Sequence, residues 1–200
     1  MGTRERILDA SLTLFNDSGT ARITSVDIAE QLGISPGNLY YHFKGKEEIL
    51  TALMAECELA LNRLILRIRT EEMAPDEYDP LLHSVLRICH HFRFLFRDQE
   101  AFRFASGRIP AKWLRLIRQL RQFSQALLDG MEQLQPLGLS TQLRHALADS
   151  LMLTTLGSLS YDQILDKEAD QETRIRNGVT RLAVLLAPYQ HPAVAKLDPD

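Results

Sequence analysis

Apolar residues recur along this chain at the spacing of helices rather than strands. In the first segment they fall at every third or fourth position, on one helical face: Ile7, Ala10, Ser11, Leu14 and Phe15. Similar patterns follow over residues 24–32, 36–43, 47–69, 79–96, 99–106, 110–135, 140–164 and 170–187. Strand-like alternation nowhere exceeds chance. The pattern therefore predicts an all-α protein of about nine helices.

Residues 24–43 have the features of two short helices joined by a tight turn. Thr24 and Ser35 are suited to cap the two helices, and Gly33 supplies the positive φ that such a turn needs. Ala29 is small where the helix axes approach, and Leu39 is apolar where the second helix packs on the first. The segment predicts a helix-turn-helix motif, with a helical hairpin that binds nothing as the alternative.

The second helix of this motif carries polar side chains suited to DNA. Leu39 and Phe43 lie four residues apart and are predicted to face the core, which leaves the other residues exposed: Gly37, Asn38, Tyr40, Tyr41, His42 and Lys44. An asparagine amide can pair with an adenine edge, and tyrosines can contact thymine methyl groups or phosphates. Lys44 and Lys46 are predicted to be phosphate anchors.

Composition narrows the class of protein. With 45% hydrophobic residues and a net charge of −3, the chain is neither disordered nor uniformly basic. The two cysteines are too few for a disulfide scaffold, and we expect no membrane span or signal peptide, which predicts an intracellular protein. Residues 1–50 hold five cations and seven carboxylates, so any DNA-binding face must be a local arrangement of the cations.

The motif is more specific than a generic helix-turn-helix. Residues 24–35, and above all the run LYYHFKGKEEIL over residues 39–50, resemble the DNA-binding domain of the TetR family of bacterial repressors. The resemblance in motif covers about the first 60 residues. It implies a DNA-binding domain over residues 1–61 and a helical effector-binding and dimerisation domain over residues 62–190. Pro188 and Pro192 are predicted to end the last helix, and residues 191–200 are predicted to form a loose tail.

The resemblance also implies partners and site residues. It implies a cytoplasmic bacterial homodimer that binds a palindromic DNA operator and is released from it by a small molecule. The residues implied to contact DNA are Thr24, Ser25, Ser35, Pro36, Gly37, Asn38, Tyr40, Tyr41, His42, Lys44 and Lys46. No hydrolase, phosphate-loop or metalloprotease motif occurs, so we expect neither catalytic residues nor a cofactor. Repression and activation both stay open. The alternative is a helical adaptor, or an enzyme-like ligand-binding protein, that has lost DNA binding.

Two stripes in the last long helices are candidates for the dimer interface. The first stripe contains small residues that allow close packing: Leu143, Leu147, Ser150, Leu151, Thr154, Ser158 and Tyr161. The second stripe is aliphatic: Ile175, Val179, Leu182 and Leu186. Packing of both stripes inside one chain is the alternative.

Residues 85–125 combine a net charge of +7 with seven aromatic side chains. A guanidinium beside apolar walls can hold a carboxylate on a hydrophobic molecule. The predicted walls are Phe92, Phe96, Trp113 and Phe123, and the predicted anion-binding groups are Arg93, Arg97, Arg103 and Arg118. A solvated basic face over a phenylalanine core is the alternative. Attraction to the DNA backbone is a third interpretation, which is disfavoured because this region should lie far from the groove.

Histidines and cysteines cluster in the same region without suitable metal-ligand spacing. His90 and His91 are adjacent and point to different faces of a helix, and His83 lies two turns from His90. We therefore expect no metal site.

Overall fold

The computed structural model describes residues 2–190, and it confirms the all-α prediction over them with ten α-helices and no strand. The helices are α1 (Thr3–Ser18), α2 (Ser25–Gln31), α3 (Pro36–His42), α4 (Lys46–Thr70), α5 (Tyr78–His91), α6 (Phe94–Arg97), α7 (Gln99–Arg103), α8 (Ile109–Leu134), α9 (Thr141–Leu165) and α10 (Gln171–Gln190). Short 3₁₀ turns lie at Thr20–Arg22 and Pro75–Glu77. Among the described helices we find no candidate for a membrane span. The predicted tail over residues 191–200 lies outside the described residues.

The chain divides into two compact units. The first contains α1 to α3 and α4 as far as Leu59, together with Phe92–Ile117, which holds α6, α7 and the start of α8. Phe94 lies in its core, with its ring centroid 5.3 Å from that of Phe15 and 6.1 Å from that of Phe102. Phe92–Ile117 therefore packs with the N-terminal helices, whereas the division predicted at residue 61 places it in the second domain.

The second unit contains the rest of α4 and α8 together with α5, α9 and α10. Gly178 lets α10 approach α5 and α9, because a Cβ atom there would lie 2.9 Å from Leu86 and 3.5 Å from Ser158. The guanidinium of Arg181 on α10 donates to both carboxylate oxygens of Asp162 on α9, at 3.0 and 2.5 Å. The last two helices are thus joined by close backbone packing and an ion pair.

Three local predictions need correction. The helix predicted over residues 79–96 ends at His91, and α6 follows as a separate short helix. Pro188 lies inside α10 rather than ending it, because a proline near the C-terminus of a helix removes only one N–H donor. The helical spacing of residues 24–32 also predicts Val26 on the apolar side of α2, with Ile28, Ala29 and Leu32, but Val26 is exposed.

Candidate nucleic-acid interface

The turn between α2 and α3 has the geometry that its sequence predicts. Gly33 has a φ of +64°, in the left-handed region that a side chain disfavours. The Gly33 N–H donates to the Glu30 carbonyl and the Ile34 N–H donates to the Ala29 carbonyl, both at 3.0 Å. This pair of bonds is a Schellman motif, which ends α2 and sets the direction in which α3 begins.

Side-chain caps fix the starts of both helices. The Thr24 hydroxyl accepts from the Asp27 N–H at 3.3 Å, and the Asp27 carboxylate accepts from the Thr24 N–H at 2.7 Å. This backbone hydrogen bond holds the pKa of Asp27 below its usual value. The Ser35 hydroxyl accepts from the Asn38 N–H at 3.2 Å, and Pro36 occupies the first turn of α3.

One side of α3 is buried and the other is open. Leu39 and Phe43 are fully buried, as predicted, together with Ile28 and Ala29 of α2. On the opposite side Tyr41 is 77% exposed and Tyr40 is 47% exposed. The remaining predicted contacts fall into an exposed set (Thr24, Ser35, Pro36, Gly37, Asn38 and Lys44) and a half-buried set (Ser25, His42 and Lys46). The structure therefore leaves most of the predicted DNA-binding side chains exposed on α3 and on the residues that flank it.

Neighbouring contacts orient this surface. The ring of Tyr41 stands edge-on to His42, with centroids 5.1 Å apart. The Lys44 ammonium donates to the Tyr40 carbonyl at 3.2 Å, and the Lys44 N–H donates to the Glu48 carboxylate at 2.5 Å. Lys44 is thus held beside the end of α3 while its side chain stays exposed.

The placement of Lys46 differs from the predicted phosphate anchor. Its ammonium donates to the carbonyl oxygens of Thr20 at 2.6 Å and Ile23 at 2.9 Å. Partial burial also lowers its pKa. The ammonium of Lys46 is therefore engaged inside the protein, where it ties the segment before α2 to the start of α4.

Arginines predicted at an effector pocket bind α1 instead. Arg93 donates to the Asp17 carboxylate at 3.0 Å, and the guanidinium of Arg97 donates to the Asn16 carbonyl. Arg103 lies over the ring of the exposed Phe104, and Arg118 is exposed. These contacts leave the predicted anion-binding role of Arg93 and Arg97 without support in the structure.

The aromatic side chains predicted to line that pocket are distributed over both units. Phe92 and Phe96 are buried in the first unit, where the Trp113 indole N–H donates to the Leu95 carbonyl at 2.8 Å. Phe123 is buried in the second unit. The effector pocket stays a prediction.

The predicted dimer stripes are mainly internal. The α10 stripe of Ile175, Val179, Leu182 and Leu186 is buried within the second unit. Of the α9 stripe, Leu147, Leu151 and Ser158 are buried, Thr154 is half-buried, and Leu143, Ser150 and Tyr161 are exposed. An adjoining face of α9, which shares Ser150 with the predicted stripe, is open and is formed by Ala146, Ser150, Leu153, Gly157 and Ile164. These residues are spaced by three, four or seven positions, a helical spacing that can be recognised in the sequence.

The histidine and cysteine cluster lies in α5, where Cys89 and His90 are buried. Burial raises the pKa of the Cys89 thiol. Within residues 2–190 no group of three or more histidine, cysteine, aspartate or glutamate side chains is placed to hold a metal ion.

Sequence reasoning missed a polar junction centred on Thr20. Its N–H and its hydroxyl both donate to the Asp98 carboxylate, at 2.6 and 3.0 Å, and its carbonyl accepts from Lys46. The Phe94 N–H donates to the Asn16 side chain at 3.1 Å in the same region. Asp98 lies 78 residues from Thr20 along the chain, so no local pattern indicates the contact.

Two family models match the chain. Residues 7–53 match the model described as bacterial regulatory proteins of the tetR family. Residues 58–196 match the TetR model, described as a bacterial transcriptional repressor. Together they cover both the helix-turn-helix region and most of the chain that follows it.

Individual relatives agree with the family matches. The regulator TtgR of Pseudomonas putida is 37% identical over 79 residues, which are 40% of this chain and 36% of that protein. A TetR-family regulator structure from Marinobacter aquaeolei has a TM-score of 0.85 at 26% identity, covering 98% of this chain and 95% of that one. A SmeT–triclosan complex has a TM-score of 0.64 at 25% identity, covering 97% and 94%. SmeT is the repressor of a Stenotrophomonas maltophilia efflux pump.

Proposed function

Because the chain belongs to the TetR family of bacterial transcriptional regulators, we propose that it is a homodimeric, cytoplasmic DNA-binding repressor whose release from an operator is controlled by a small molecule. The observation that carries this proposal is the open polar side of α3, backed by the buried Leu39 and Phe43. A short helix with a rigid apolar back and an exposed polar front is suited to the major groove.

Each side chain on this front has a distinct role in the proposal. Asn38 reads an adenine edge through its amide, which can donate and accept at once. Tyr40, Tyr41 and Lys44 contact the sugar-phosphate backbone or thymine methyl groups and set the register of α3. The caps Thr24 and Ser35 hold the helix starts towards the phosphates. Lys46 acts as a positioning residue through its bonds to Thr20 and Ile23.

The open face of α9 is the surface that we propose for the second copy of the chain. Ala146, Ser150 and Gly157 are small, and a Cβ atom at Gly157 would meet nothing within 4 Å. Leu153 and Ile164 on the same face are largely exposed, as is Val184 on α10. Small residues permit close helix approach, and the large apolar ones would leave water on association. A two-fold dimer would place two α3 helices about 34 Å apart on a palindromic operator.

The effector is proposed to act on the second unit. The Tyr78 hydroxyl is buried there without a hydrogen-bond partner among the described residues, and burial raises its pKa. A Cβ atom at Gly130 would lie 3.0 Å from this hydroxyl, so the glycine is what allows the Tyr78 ring to pack against α8. A buried hydroxyl of this kind is suited to bond a ligand. The triclosan complex of SmeT supports a small-molecule effector, and a hydrophobic acid stays our predicted class.

The junction at Thr20 is the route that we propose between effector and DNA. Asp98 holds the N–H and hydroxyl of Thr20, while Lys46 holds its carbonyl. Asp98 lies between α6 and α7, which follow directly from α5 of the second unit. A displacement of this segment would therefore pull on the residues immediately before α2.

The proposal is tested by selecting an operator from random duplexes and titrating it with three proteins. The wild-type protein should bind the selected duplex specifically. Asn38→Ala should relax the choice of base at one position per half-site, because a base-edge contact is lost. Lys44→Ala should weaken binding to all sequences and lower the salt slope by about 0.9 per lost phosphate contact. Failure of the wild type to enrich any sequence would refute the proposed function.

A further inference from the structure

An open cleft of about 450 Å³ lies in the first unit, immediately beyond the end of α3. Lys44, Gly45 and Thr51 line one side of it, and Arg108 and Lys112 at the start of α8 line the other. Lys44 follows the last residue of α3 by two positions. The start of α8 is therefore next to the proposed reading helix, although the sequence suggested that this basic segment lies far from the groove.

The carboxylates of the cleft are turned towards the protein's own donors. Glu48 accepts from the Lys44 N–H at 2.5 Å, and Glu47 accepts from the Ser106 hydroxyl at 3.4 Å. A Cβ atom at Gly107 would lie 3.4 Å from the Glu47 carboxylate, so this loop sits directly against α4. These contacts hold the start of α8 beside Lys44.

The cations of the cleft differ from a neighbouring arginine in how they are paired. Arg108 is exposed and Lys112 is half-buried, and neither forms an ion pair with a carboxylate within residues 2–190. Arg115, one turn further along α8, instead binds Glu58 through two hydrogen bonds at 2.9 and 2.7 Å. Arg115 therefore has a structural role, whereas Arg108 and Lys112 are available to bind an anion.

We propose that Arg108 and Lys112 form a second DNA-backbone site, which binds phosphates outside the base pairs read by α3. This inference rests on the proposed DNA-binding function and adds to it a contact from outside the helix-turn-helix. Lys44 would join the two sites along one strand, since it borders both α3 and the cleft. The polyanionic backbone of duplex DNA supplies a row of phosphates that three separate cations can contact together.

The test compares two double variants on the selected operator. Arg108→Ala with Lys112→Ala should lower the salt slope by about 3.6, because a dimer would lose four phosphate contacts at about 0.9 each. The control pair is Arg63→Ala with Arg69→Ala, which removes the same charge from exposed positions on α4. This control should keep the wild-type slope. An equal loss of slope in both pairs would overturn the proposal, because it would reflect net charge alone.

A second arm varies the length of the DNA. The wild type should bind a duplex with about one extra helical turn on each side more tightly than the core duplex, whereas the Arg108 and Lys112 double variant should bind both alike. If flanking DNA strengthens both proteins equally, the cleft does not contact it and the proposal fails. If the wild type binds no operator at all, the proposed function fails instead. Circular dichroism of each variant checks that the fold is retained.

Discussion

Lys46 illustrates how one residue can have a role that its type does not indicate. A lysine just after a reading helix is typical of a phosphate contact, yet its ammonium donates to two backbone carbonyls of the segment before α2. Thr20 and Asp98 form the matching contact on the other side of that segment. Single polar side chains therefore tie down the segment that leads into the helix-turn-helix, in addition to its apolar core.

Asp27 supports a prediction about pH. Its pKa is lowered in the folded protein by the bond from the Thr24 N–H, so its contribution to stability is complete above the unfolded pKa and is lost as pH falls through the folded pKa. The melting temperature of Asp27→Ala should lie below that of the wild type by a constant gap from about pH 7 to about pH 4.5. The gap should close only at lower pH.

Thermal melts across this pH range measure the gap. Glu30→Ala removes an exposed carboxylate from the same helix without touching the cap, so it should cause a smaller loss. A gap that changes between neutral pH and about pH 5 would contradict the assigned role of Asp27.

At the scale of elements, α9 and α10 have buried inner faces, and α9 also has an exposed outer face. The inner stripes, including Leu151 and Val179, are buried within the second unit. The outer face of α9 carries Leu153 and Ile164 among small residues and is open. A helix of this kind can pack within one chain and against a second copy at the same time.

The exposed outer face of α9 predicts which exposed leucine is needed for dimerisation. Leu153 and Leu66 are 62% and 61% exposed, so glutamate at either position should be tolerated by the single chain. In a dimer formed through α9, Leu153→Glu would bury a charge without a partner, which costs several kcal/mol. Light scattering should therefore find Leu153→Glu monomeric, with operator affinity reduced at least tenfold because the two half-sites are no longer linked.

Leu66→Glu on α4 is the matched control and should stay dimeric. A dimeric Leu153→Glu protein with full operator affinity would exclude the α9 face as the interface.

At the scale of the whole molecule, the contact of Thr20 with Asp98 joins two segments that are distant in the sequence. Phe92–Ile117 packs with the N-terminal helices, although in the chain it lies between α5 and the later part of α8. Asp98 binds Thr20, and Arg93 and Arg97 bind the end of α1. The helices of the first unit that we propose to bind DNA thus take part of their support from a segment that continues in both directions into the second unit.

This arrangement predicts that Asp98→Ala uncouples effector binding from DNA release. Hydrophobic acids, their neutral amides and hydrophobic cations are first screened for stabilisation of the wild type, and we expect an acid to stabilise most. That acid should weaken operator binding by the wild type at least tenfold, which corresponds to about 1.4 kcal/mol of coupling. It should still stabilise Asp98→Ala but leave its operator affinity nearly unchanged.

Glu100→Ala, which removes an exposed carboxylate two residues later, should release DNA like the wild type. Full release by Asp98→Ala would show that coupling takes another route. An amide or a cation that stabilises more than any acid would contradict the predicted effector class.

The sequence by itself determined what depends on neighbours within a few residues. Helical spacing, the caps Thr24 and Ser35 and the glycine turn involve contacts within one or two helical turns, and each agrees with the structure. The four-residue spacing of Leu39 and Phe43 marks them for burial, and both are buried. Tertiary structure alone decided which surface covers each apolar stripe and where each long polar side chain finds its partner. The bond of Asp98 to Thr20 and the position of Arg108 beside Lys44 bring together residues more than 60 positions apart. Periodicity marks a face for burial, but the neighbour that buries it is set by the packing of all the helices together.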